Sequence, residues 1–346
     1  MRATQNRITL SGLVQTAFVV IVLVVILYCI VQFVKRLSSS ELSTNTHEGF
    51  GNHPGGATNG LKDVDPKELA KYSKSHKKTR DEIYDKFYAN VYRELIDKFR
   101  RKGIQFEIHD MINRTKLPEY GSRAVFLDLG CGTGSHIVEL ARRKLKWMIY
   151  GLDQSTSMLN HVQGRVKKYR GKTRLIQGDF EEPDLFPADK FTHVYCYYFS
   201  IYYAKQPKKV FQNVHTWLKP GGYFCVHVVD PERFDPVLDA ANPFLGVSLQ
   251  KYMKPGTRRT NSKVYFNNFI YKSDFNYDPK THDGSYTEEF IHPKKRHIRK
   301  HTHTFKMMPH NRLIGNIRRA GFNLKHITKL YERGDNYEYL CYFQKK

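Results

Sequence analysis

The stretch VFLDLGCGTGSH, residues 125–136, holds a short apolar run, an acidic residue and three glycines at alternate positions. An apolar run that leads through glycines into an amphipathic segment is typical of a strand, a tight turn and a helix. Glycines let the backbone approach a ligand that a Cβ atom would exclude, and the helix N-terminus carries partial positive charge. We therefore predict a cofactor site at this turn.

The spacing of the glycines distinguishes two kinds of ligand. A dinucleotide fold needs G-x-G-x-x-G; Gly130 and Gly132 begin that pattern, but Ser135 stands where the last glycine belongs. Gly134 comes one place early. Asp128 would repel a pyrophosphate, whereas it could neutralise the ammonium group of a methionine-type ligand. A P-loop is excluded because no Gly-Lys-Ser/Thr follows.

Apolar runs alternate with amphipathic segments around this turn. The runs that predict strands are Val125–Leu129, Trp147–Leu152, Thr173–Gln177, Thr192–Tyr198 and Tyr223–Val229. The segments that predict helices are His136–Arg143, Ser155–Tyr169 and Pro207–Leu218. Such alternation is typical of a doubly wound parallel sheet with helices on both faces.

The end of the chain has a different pattern. A helix is predicted near His310–Ala320, a strand near Phe322–Leu330 and a last strand at Tyr337–Phe343. The turn signal RGDN, residues 333–336, predicts that the last two strands form an antiparallel hairpin. The predicted fold is α/β: a doubly wound, mostly parallel, seven-stranded Rossmann-like sheet with a C-terminal antiparallel hairpin.

Four motifs together resemble the class I S-adenosylmethionine-dependent methyltransferases. DLGCGTG (128–134) fits the first motif of that family, D/E-x-G-x-G-x-G. YGLDQSTSML (150–159) ends the second strand in an acid, and IQGDF (176–180) ends the third strand in an acid and an aromatic residue. WLKPGGYFCVHVV (217–229) resembles the Lys-Pro-Gly-Gly turn into the fifth strand. The resemblance covers about residues 80–346.

The resemblance implies S-adenosylmethionine as the cofactor. It places Asp128 and the glycine turn at the methionine end, Asp153 at the ribose hydroxyls, and Asp179 with Phe180 at the adenine. YDKFYANVY (84–92) resembles the N-terminal lid of this family, in which Tyr84 or Tyr88 covers the donor. The implied cofactor-binding residues are Asp128, Gly130, Cys131, Gly132, Gly134, Asp153, Gln154, Asp179, Phe180, Tyr197 and Tyr84.

The acceptor site is predicted where the fourth strand ends, in YCYYFSIYY (195–203). The catalytic candidates there are Tyr198, Ser200, Tyr202 and Tyr203, although each tyrosine could equally be part of the core. A general base is needed only if the acceptor carries a proton at neutral pH. Residues 196–224 also resemble, loosely, the messenger-RNA cap guanine-N7 methyltransferases, which implies an RNA acceptor.

The N-terminal part predicts attachment to a membrane. Leu10–Val34 has no charged residue and is long enough to cross a hydrocarbon core of ~30 Å. Basic residues follow it where a signal peptide would have a cleavage site, which predicts an uncleaved single-pass anchor. We therefore expect a tail at 1–9, an anchor at 10–34, a flexible linker at 35–64 and a methyltransferase domain at 65–346, with a substrate-binding insertion at 231–309.

Composition bears on partners and compartment. The formal net charge of +24 favours a polyanionic partner, either RNA or anionic lipid, bound through the basic C-terminal half. The five cysteines have neither metal-ligand spacing nor an even count, so they predict free thiols and a catalytic domain that faces the cytosol.

His297, His301 and His303 lie on a predicted strand and do not define a metal site, so no metal is expected. The oligomeric state stays open.

Two classes of function remain on these grounds. The first is a membrane-anchored methyltransferase with an anionic acceptor such as RNA; a lipid, a small metabolite and a protein are the rival acceptors. The second is an inactive module that keeps the fold and uses its basic face to bind nucleic acid or anionic lipid.

Overall fold

The computed structural model describes Tyr28 and residues 77–78, 80–115, 124–143, 147–169, 171–241, 250, 258–267, 269–292, 296–330 and 337–346. The chain divides into two compact units, Met1–Gly56 and Ala57–Lys346, and every described residue except Tyr28 belongs to the second. The predicted anchor (Leu10–Val34) and linker (35–64) lie outside the described residues, apart from Tyr28. Within the described ranges, no helix combines the length and the apolar character that crossing a bilayer requires.

The described strands and helices alternate along the chain. The strands are β1 Lys77–Lys78, β2 Val125–Leu129, β3 Met148–Asp153, β4 Thr173–Gln177, β5 Phe191–Cys196, β6 Leu218–Val229, β7 Asn261–Tyr265, β8 Ile270–Asp278, β9 Asp283–His292, β10 Arg296–Lys306, β11 Phe322–Lys329 and β12 Glu338–Lys345. The helices are α1 Arg80–Ile83, α2 Lys86–Tyr92, α3 Arg101–Arg114, α4 Ser135–Arg142, α5 Thr156–Val166, α6 Pro207–Trp217 and α7 His310–Arg319. A π-helical turn, Arg93–Asp97, continues α2.

Seven of the described strands form one mixed sheet in the order β11-β12-β6-β5-β2-β3-β4. The strands from β6 to β4 pair in parallel, whereas β12 is antiparallel to both β6 and β11. The prediction of a mostly parallel, doubly wound sheet with a C-terminal antiparallel hairpin is therefore confirmed. Because β2, β3 and β5 are neighbours, the turns that follow them meet at one edge of the sheet.

Five further strands form a second sheet in the order β1-β10-β9-β8-β7. Most of it comes from residues 231–309, the segment predicted to be a substrate-binding insertion. Strand β9 was not predicted, because Glu288 takes one of its buried positions and interrupts the apolar alternation. Register places Glu288 directly opposite His301 of β10.

The N-terminal helices pack on the second sheet. Ile83, Phe87, Val91 and Leu95 recur every four residues, so they share one helical face, and they are buried in a cluster that includes Phe290. The side chain of Asp85 caps α2 by accepting a hydrogen bond from the Tyr88 amide (3.0 Å). This packing holds the tyrosines of α2 over the edge of the main sheet where β2, β3 and β5 end.

Candidate active site

A single cavity of about 420 Å³ is lined by the ends of β2, β3 and β5, by the second sheet and by the N-terminal helices. On one side, hereafter the donor half, its walls are Gly130, Gly132, Asp153, Gln154 and Phe180. On the other side, hereafter the acceptor half, the walls are mainly aromatic and acidic. A volume of this order is typical of small-molecule sites.

The glycine turn after β2 needs its glycines for different reasons. Gly130, Gly132 and Gly134 all have left-handed φ angles, of 68°, 51° and 74°. A Cβ on Gly134 would lie 2.5 Å from Cγ1 of Val162, so close packing of α4 on α5 excludes a side chain there. A Cβ on Gly132 would meet nothing within 4 Å, because this residue faces the open cavity. The turn therefore presents bare backbone to a ligand.

Asp153 ends β3 beside that turn. Its Oδ2 accepts a hydrogen bond from the Gly132 amide (2.8 Å), and its Oδ1 accepts one from the Ser155 amide (2.9 Å). Burial raises the pKa of this carboxyl group, and the two amides oppose the rise by stabilising the anion. Each oxygen keeps a further lone pair, so Asp153 could accept hydrogen bonds from two ligand hydroxyls.

The two predicted site residues of the third-strand motif, Asp179 and Phe180, lie at different positions relative to the cavity. Phe180 is buried and lines the cavity, together with Gly178. Asp179 lies between them, and its Oδ1 accepts a hydrogen bond from the Glu181 amide (2.9 Å), which shapes the turn after β4. The aromatic ring thus faces the cavity directly, whereas the acid stands at its border.

Asp128 is buried beneath the glycine turn and is only 2% exposed. Burial raises the pKa of its carboxyl group to about 7, against the opposing effects of His136 and of the Tyr195 hydroxyl. A cation bound at the turn above Asp128 would lower this pKa, because an opposite charge favours the ionised form of the carboxyl group.

Besides Asp128, three predicted site residues lie in the core rather than in the cavity wall. The Cys131 side chain is buried beneath the glycine turn, in the same apolar cluster as Ile137. Tyr197 belongs to that cluster together with Tyr195, and its ring also packs on His136. Tyr202 is buried, and its hydroxyl accepts a hydrogen bond from the Val229 amide (2.8 Å).

The other catalytic candidates reach the cavity through a strained turn. Tyr198 and Phe199 both have left-handed φ angles, of 48° and 63°, which non-glycine residues rarely adopt. The turn directs Tyr198, Ser200 and Tyr203 into the cavity. The guanidinium carbon of Arg100 lies 4.1 Å from the ring centre of Tyr198, an arrangement suited to a cation–π interaction. Backbone strain of this kind is concentrated at functional sites.

The acceptor half contains a buried acid that the sequence interpretation missed. Glu288 Oε2 accepts hydrogen bonds from Tyr88 (2.7 Å), His301 (2.5 Å) and His303 (2.7 Å), and Oε1 accepts one from Tyr271 (2.5 Å). Burial alone would raise the pKa of Glu288, but its charge interactions and hydrogen bonds with the two histidines hold it well below the ordinary value. The sequence feature that could have indicated this cluster is HTH, residues 301–303, because histidines at alternate positions share one face of a strand.

Glu288, His301 and His303 bring ligand-type atoms within 4.8 Å of one another, which raises the question of a metal. The Arg299 Nε–H donates to Nδ1 of His301 (3.0 Å), so the proton of that imidazole is on Nε2, facing Glu288. A protonated Nε2 cannot ligate a cation, and the four bonds to Glu288 already use its oxygens. The cluster therefore fits a proton-holding network better than a metal centre.

The charge of the cavity wall is negative. Its acidic residues are Asp153, Asp235, Asp239, Glu288 and Glu338. Among the described lining residues Arg100 alone carries a permanent positive charge, and it is paired with Glu107. The aromatic residues are Tyr84, Tyr88, Tyr92, Phe180, Tyr198, Phe199, Tyr203, Phe234, Tyr271, Phe275, Tyr286 and Phe305. Acids beside aromatic faces suit a neutral or cationic ligand.

The sheet order, the glycine turn and the acid after β3 define a class of protein, the class I S-adenosylmethionine-dependent methyltransferases. Residues 126–222 match the family model described as a methyltransferase domain. The matched segment is therefore a methyltransferase domain, the part of this fold in which S-adenosylmethionine is the cofactor.

Similar proteins are found by sequence and by structure. Carboxy-S-adenosyl-L-methionine synthases from Nautilia profundicola and Wolinella succinogenes are 23% and 26% identical over 41% and 43% of this chain. These matches span 59% and 63% of the relatives' own length.

Two solved structures share the fold. An S-adenosylmethionine-dependent methyltransferase from Clostridium acetobutylicum has a TM-score of 0.54 and 17% identity, over 75% of this chain and 97% of that one. The CcbJ methyltransferase from Streptomyces caelestis has a TM-score of 0.52 and 16% identity, over 66% and 92%. At these identities the likeness concerns the fold alone.

Proposed function

We propose that this chain is a membrane-anchored methyltransferase that transfers a methyl group from S-adenosylmethionine to a small acceptor. One observation carries the proposal: the glycine turn and Asp153 share a single cavity with a wall of tyrosines, phenylalanines and acids. Donor and acceptor can therefore meet in one enclosed space, which is what an in-line displacement needs.

In the donor half, the chain's own groups account for each end of the cofactor. Asp153 would accept hydrogen bonds from the ribose hydroxyls, and Phe180 would pack on the adenine with Asp179 at its border. The bare backbone at Gly130 and Gly132 would receive the methionine end, and Asp128 below it would act as a counter-charge. When bound, S-adenosylmethionine supplies a methyl group already activated by the positive sulfur, so the protein mainly aligns the reactants and excludes water.

The acidic wall supports a small acceptor over the RNA that the sequence suggested. A polyanion in this cavity would meet carboxylates such as Glu288, whereas nucleic-acid sites are lined by lysine and arginine. The exposed Lys325 and Lys329 lie instead on the edge strand β11, where lysines commonly prevent pairing with other chains. The net charge of +24 still favours RNA or anionic lipid as a partner of the outer surface, the second candidate function.

The membrane part of the proposal rests on the uncharged segment Leu10–Val34. The described cysteines, Cys131, Cys196, Cys225 and Cys341, are free and buried, which supports a catalytic domain in a reducing compartment. Protease treatment of sealed membranes should therefore degrade the domain from the cytosolic side. Protection of the domain would contradict this orientation.

The activity is tested with the full chain in detergent and methyl-labelled S-adenosylmethionine. RNA, lipid, protein and small-molecule pools are offered separately, and label is expected in the small-molecule pool. Label in RNA or lipid would replace the proposed acceptor. Label in none, with calorimetric binding of S-adenosylmethionine intact, would indicate an inactive binding module.

A pair of variants tests the donor half. Asp153→Ala should abolish calorimetric binding of S-adenosylmethionine, because both ribose contacts and the bond to the Gly132 amide are lost. Asp184→Ala is the control, since Asp184 is an exposed acid outside the cavity. Unchanged binding in Asp153→Ala, with the fold retained, would overturn the assignment.

A further inference from the structure

Four side chains of the acceptor half form an unbroken row of hydrogen bonds. The Tyr84 hydroxyl donates to the Tyr203 hydroxyl (2.7 Å). The Tyr203 oxygen lies 2.8 Å from Nδ1 of His303, and Nε2 of His303 lies 2.7 Å from Oε2 of Glu288. The row runs from the open cavity to a carboxylate that is 2% exposed.

The chemistry of the groups fixes the direction of each bond. An ionised carboxylate can only accept, so His303 donates its Nε2 proton to Glu288. The Nδ1 atom of the neutral imidazole then keeps a lone pair, and the Tyr203 hydroxyl donates to it. Tyr203 is in turn an acceptor on its cavity side, where the Tyr84 hydroxyl now donates. His303 is therefore poised to take one proton, through Tyr203.

We propose that Tyr203, His303 and Glu288 form a proton relay that deprotonates the acceptor, and that the acceptor is an amine. This inference rests on the proposed methyltransferase function. In the sequence Glu288–His303–Tyr203, Tyr203 is the catalytic residue that touches the acceptor. His303 and Glu288 act through it.

The proton balance of the step is simple. The acceptor ammonium donates a proton to Tyr203 as Tyr203 passes its own proton to Nδ1 of His303, and the resulting imidazolium is stabilised by Glu288. The free amine lone pair then forms the new carbon–nitrogen bond as the carbon–sulfur bond of the donor breaks and its electrons stay on sulfur. The relay proton leaves to solvent with the products.

The charge of the wall selects an amine over a hydroxyl. Deprotonating a hydroxyl would build an anion beside Asp235, Asp239 and Glu288, whereas deprotonating an ammonium yields a neutral nucleophile. The same acids, together with the tyrosine faces, attract the ammonium form before it loses its proton. A hydroxyl acceptor is therefore an outcome of the test, and one that would contradict the proposal.

Among the described residues, the titratable groups that face His303 are compatible with this role. Tyr84 and Tyr88 face it from the N-terminal helices, with ring centres at 5.6 and 5.7 Å. Tyr203, Tyr286, Glu288 and His301 face it from the other elements packed against it. Burial raises the pKa of Tyr84 and Tyr88 well above the ordinary value, so both stay neutral hydroxyl donors at physiological pH.

The acceptor class is tested without knowing the acceptor. The full chain in detergent receives methyl-labelled S-adenosylmethionine and a small-molecule cell extract, either untreated or treated with N-acetoxysuccinimide to acetylate its amines. Label should enter the untreated extract and be lost on acetylation. Label that survives acetylation would overturn the amine acceptor alone. No label in either extract, with cofactor binding intact, would overturn the proposed function itself and the relay with it.

The relay is tested by substitution, with the labelled product as the readout. Tyr203→Phe and His303→Gln should each lower kcat at pH 7 at least about 100-fold, the usual contribution of a positioned base, with little change in KM for S-adenosylmethionine. Tyr277→Phe is the matched control, because the Tyr277 hydroxyl also lies near a histidine, Nδ1 of His282 (3.1 Å), but outside the cavity.

The pH profile separates a lost base from a distorted site. Without the relay only the free-amine fraction reacts, so the rate of both variants should rise about tenfold per pH unit toward the amine's own pKa, near 10 for an alkylamine. The rate of the wild type should depend much less on pH over the same range, because the relay removes the proton of the bound ammonium. A loss that is under tenfold, or equal at all pH values while cofactor binding is retained, would overturn the relay.

Discussion

The two halves of the cavity are built by different means. In the donor half, neighbouring strands of one sheet bring the glycine turn to Asp153, and backbone amides make the contacts. In the acceptor half, side chains contact side chains: Tyr203 and His303 are 100 positions apart, and Tyr88 and Glu288 are 200 apart. The donor half is thus encoded by short motifs, whereas the acceptor half depends on how two sheets and a helix come together.

The halves also differ in how they hold charge. Asp128 in the donor half is a buried acid whose ionisation is disfavoured, because burial outweighs its polar neighbours. Glu288 in the acceptor half is a buried acid whose ionisation is favoured, because its interactions with His301 and His303 outweigh the effect of burial. Each of the following substitutions tests one side of this contrast.

The largest effect is expected from Asp128→Asn. With a pKa of about 7 in the folded protein and about 4 in the unfolded chain, the ionised carboxylate destabilises the fold fully above about pH 7 and not at all below about pH 4. Removing the charge should raise the free energy of unfolding at pH 8 by on the order of 4 kcal/mol, measured by urea unfolding without cofactor.

The pH dependence provides the control for Asp128→Asn. The gain should shrink as the pH falls from 7 toward 4, because the wild-type acid becomes protonated in the folded state. Cofactor affinity should fall in the same variant, since the counter-charge to the methionine ammonium is lost. Destabilisation at pH 8, or an equal gain at both pH values, would contradict the description of Asp128 as an unfavourably buried charge.

Arg299→Met should destabilise the packing of the N-terminal helices on the second sheet, which forms the acceptor half. Arg299 is fully buried and donates to both oxygens of Asp85 (2.8 and 3.0 Å), to the Ile83 carbonyl (2.5 Å) and to His301. Its loss leaves Asp85 without that partner, so the free energy of unfolding should fall by about 3 kcal/mol.

The neighbouring residue is a matched control for Arg299. Lys300 lies on the same strand, is about half exposed and pairs with Glu289 (2.6 Å). Lys300→Met should change stability by less than about 1 kcal/mol, as expected of an exposed ion pair. Equal effects of the two substitutions would mean that Arg299 does not hold the N-terminal helices on the second sheet.

The sequence predicted the donor half because its signals are local. Strand, turn and acid lie within one stretch, so Gly130, Gly132 and Asp153 could be picked out by spacing. Glu288 could not, because a carboxylate in a buried strand position resembles a loop residue. The contact between Tyr203 and His303 depends on the packing of the two sheets, which local patterns do not specify.

The tyrosine stretch after β5 shows a second limit. Tyr197, Tyr198, Tyr202 and Tyr203 are chemically alike, yet the first and third are in the core and the others line the cavity. Along a regular strand, side chains alternate between the two faces, so position alone would tell core tyrosines from cavity tyrosines. The left-handed turn at Tyr198 and Phe199 interrupts this alternation. No residue in that turn is a glycine, so the sequence did not signal it.

Gly132→Ala tests the claim that the donor half relies on bare backbone. An alanine at φ 51° costs about 1–2 kcal/mol, and its methyl group would occupy space reserved for the ligand. We expect a corresponding loss of stability and at least a tenfold loss of cofactor affinity. Gly164→Ala is the control: Gly164 is exposed within α5 with nothing within 4 Å, so alanine there should stabilise by up to about 1 kcal/mol. Unchanged affinity in Gly132→Ala would mean that the cofactor does not approach this backbone.

The smallest effect, from Tyr202→Phe, separates core tyrosines from cavity tyrosines. The Tyr202 hydroxyl accepts a hydrogen bond from the Val229 amide, away from the cavity, so its removal should cost about 1 kcal/mol in the free energy of unfolding. The kcat should stay unchanged, in contrast to Tyr203→Phe one position later. A comparable fall in kcat in both variants would place Tyr202 in the acceptor site, as the sequence alone allowed. It would also mean that the turn at Tyr198 and Phe199 does not sort these side chains between core and cavity.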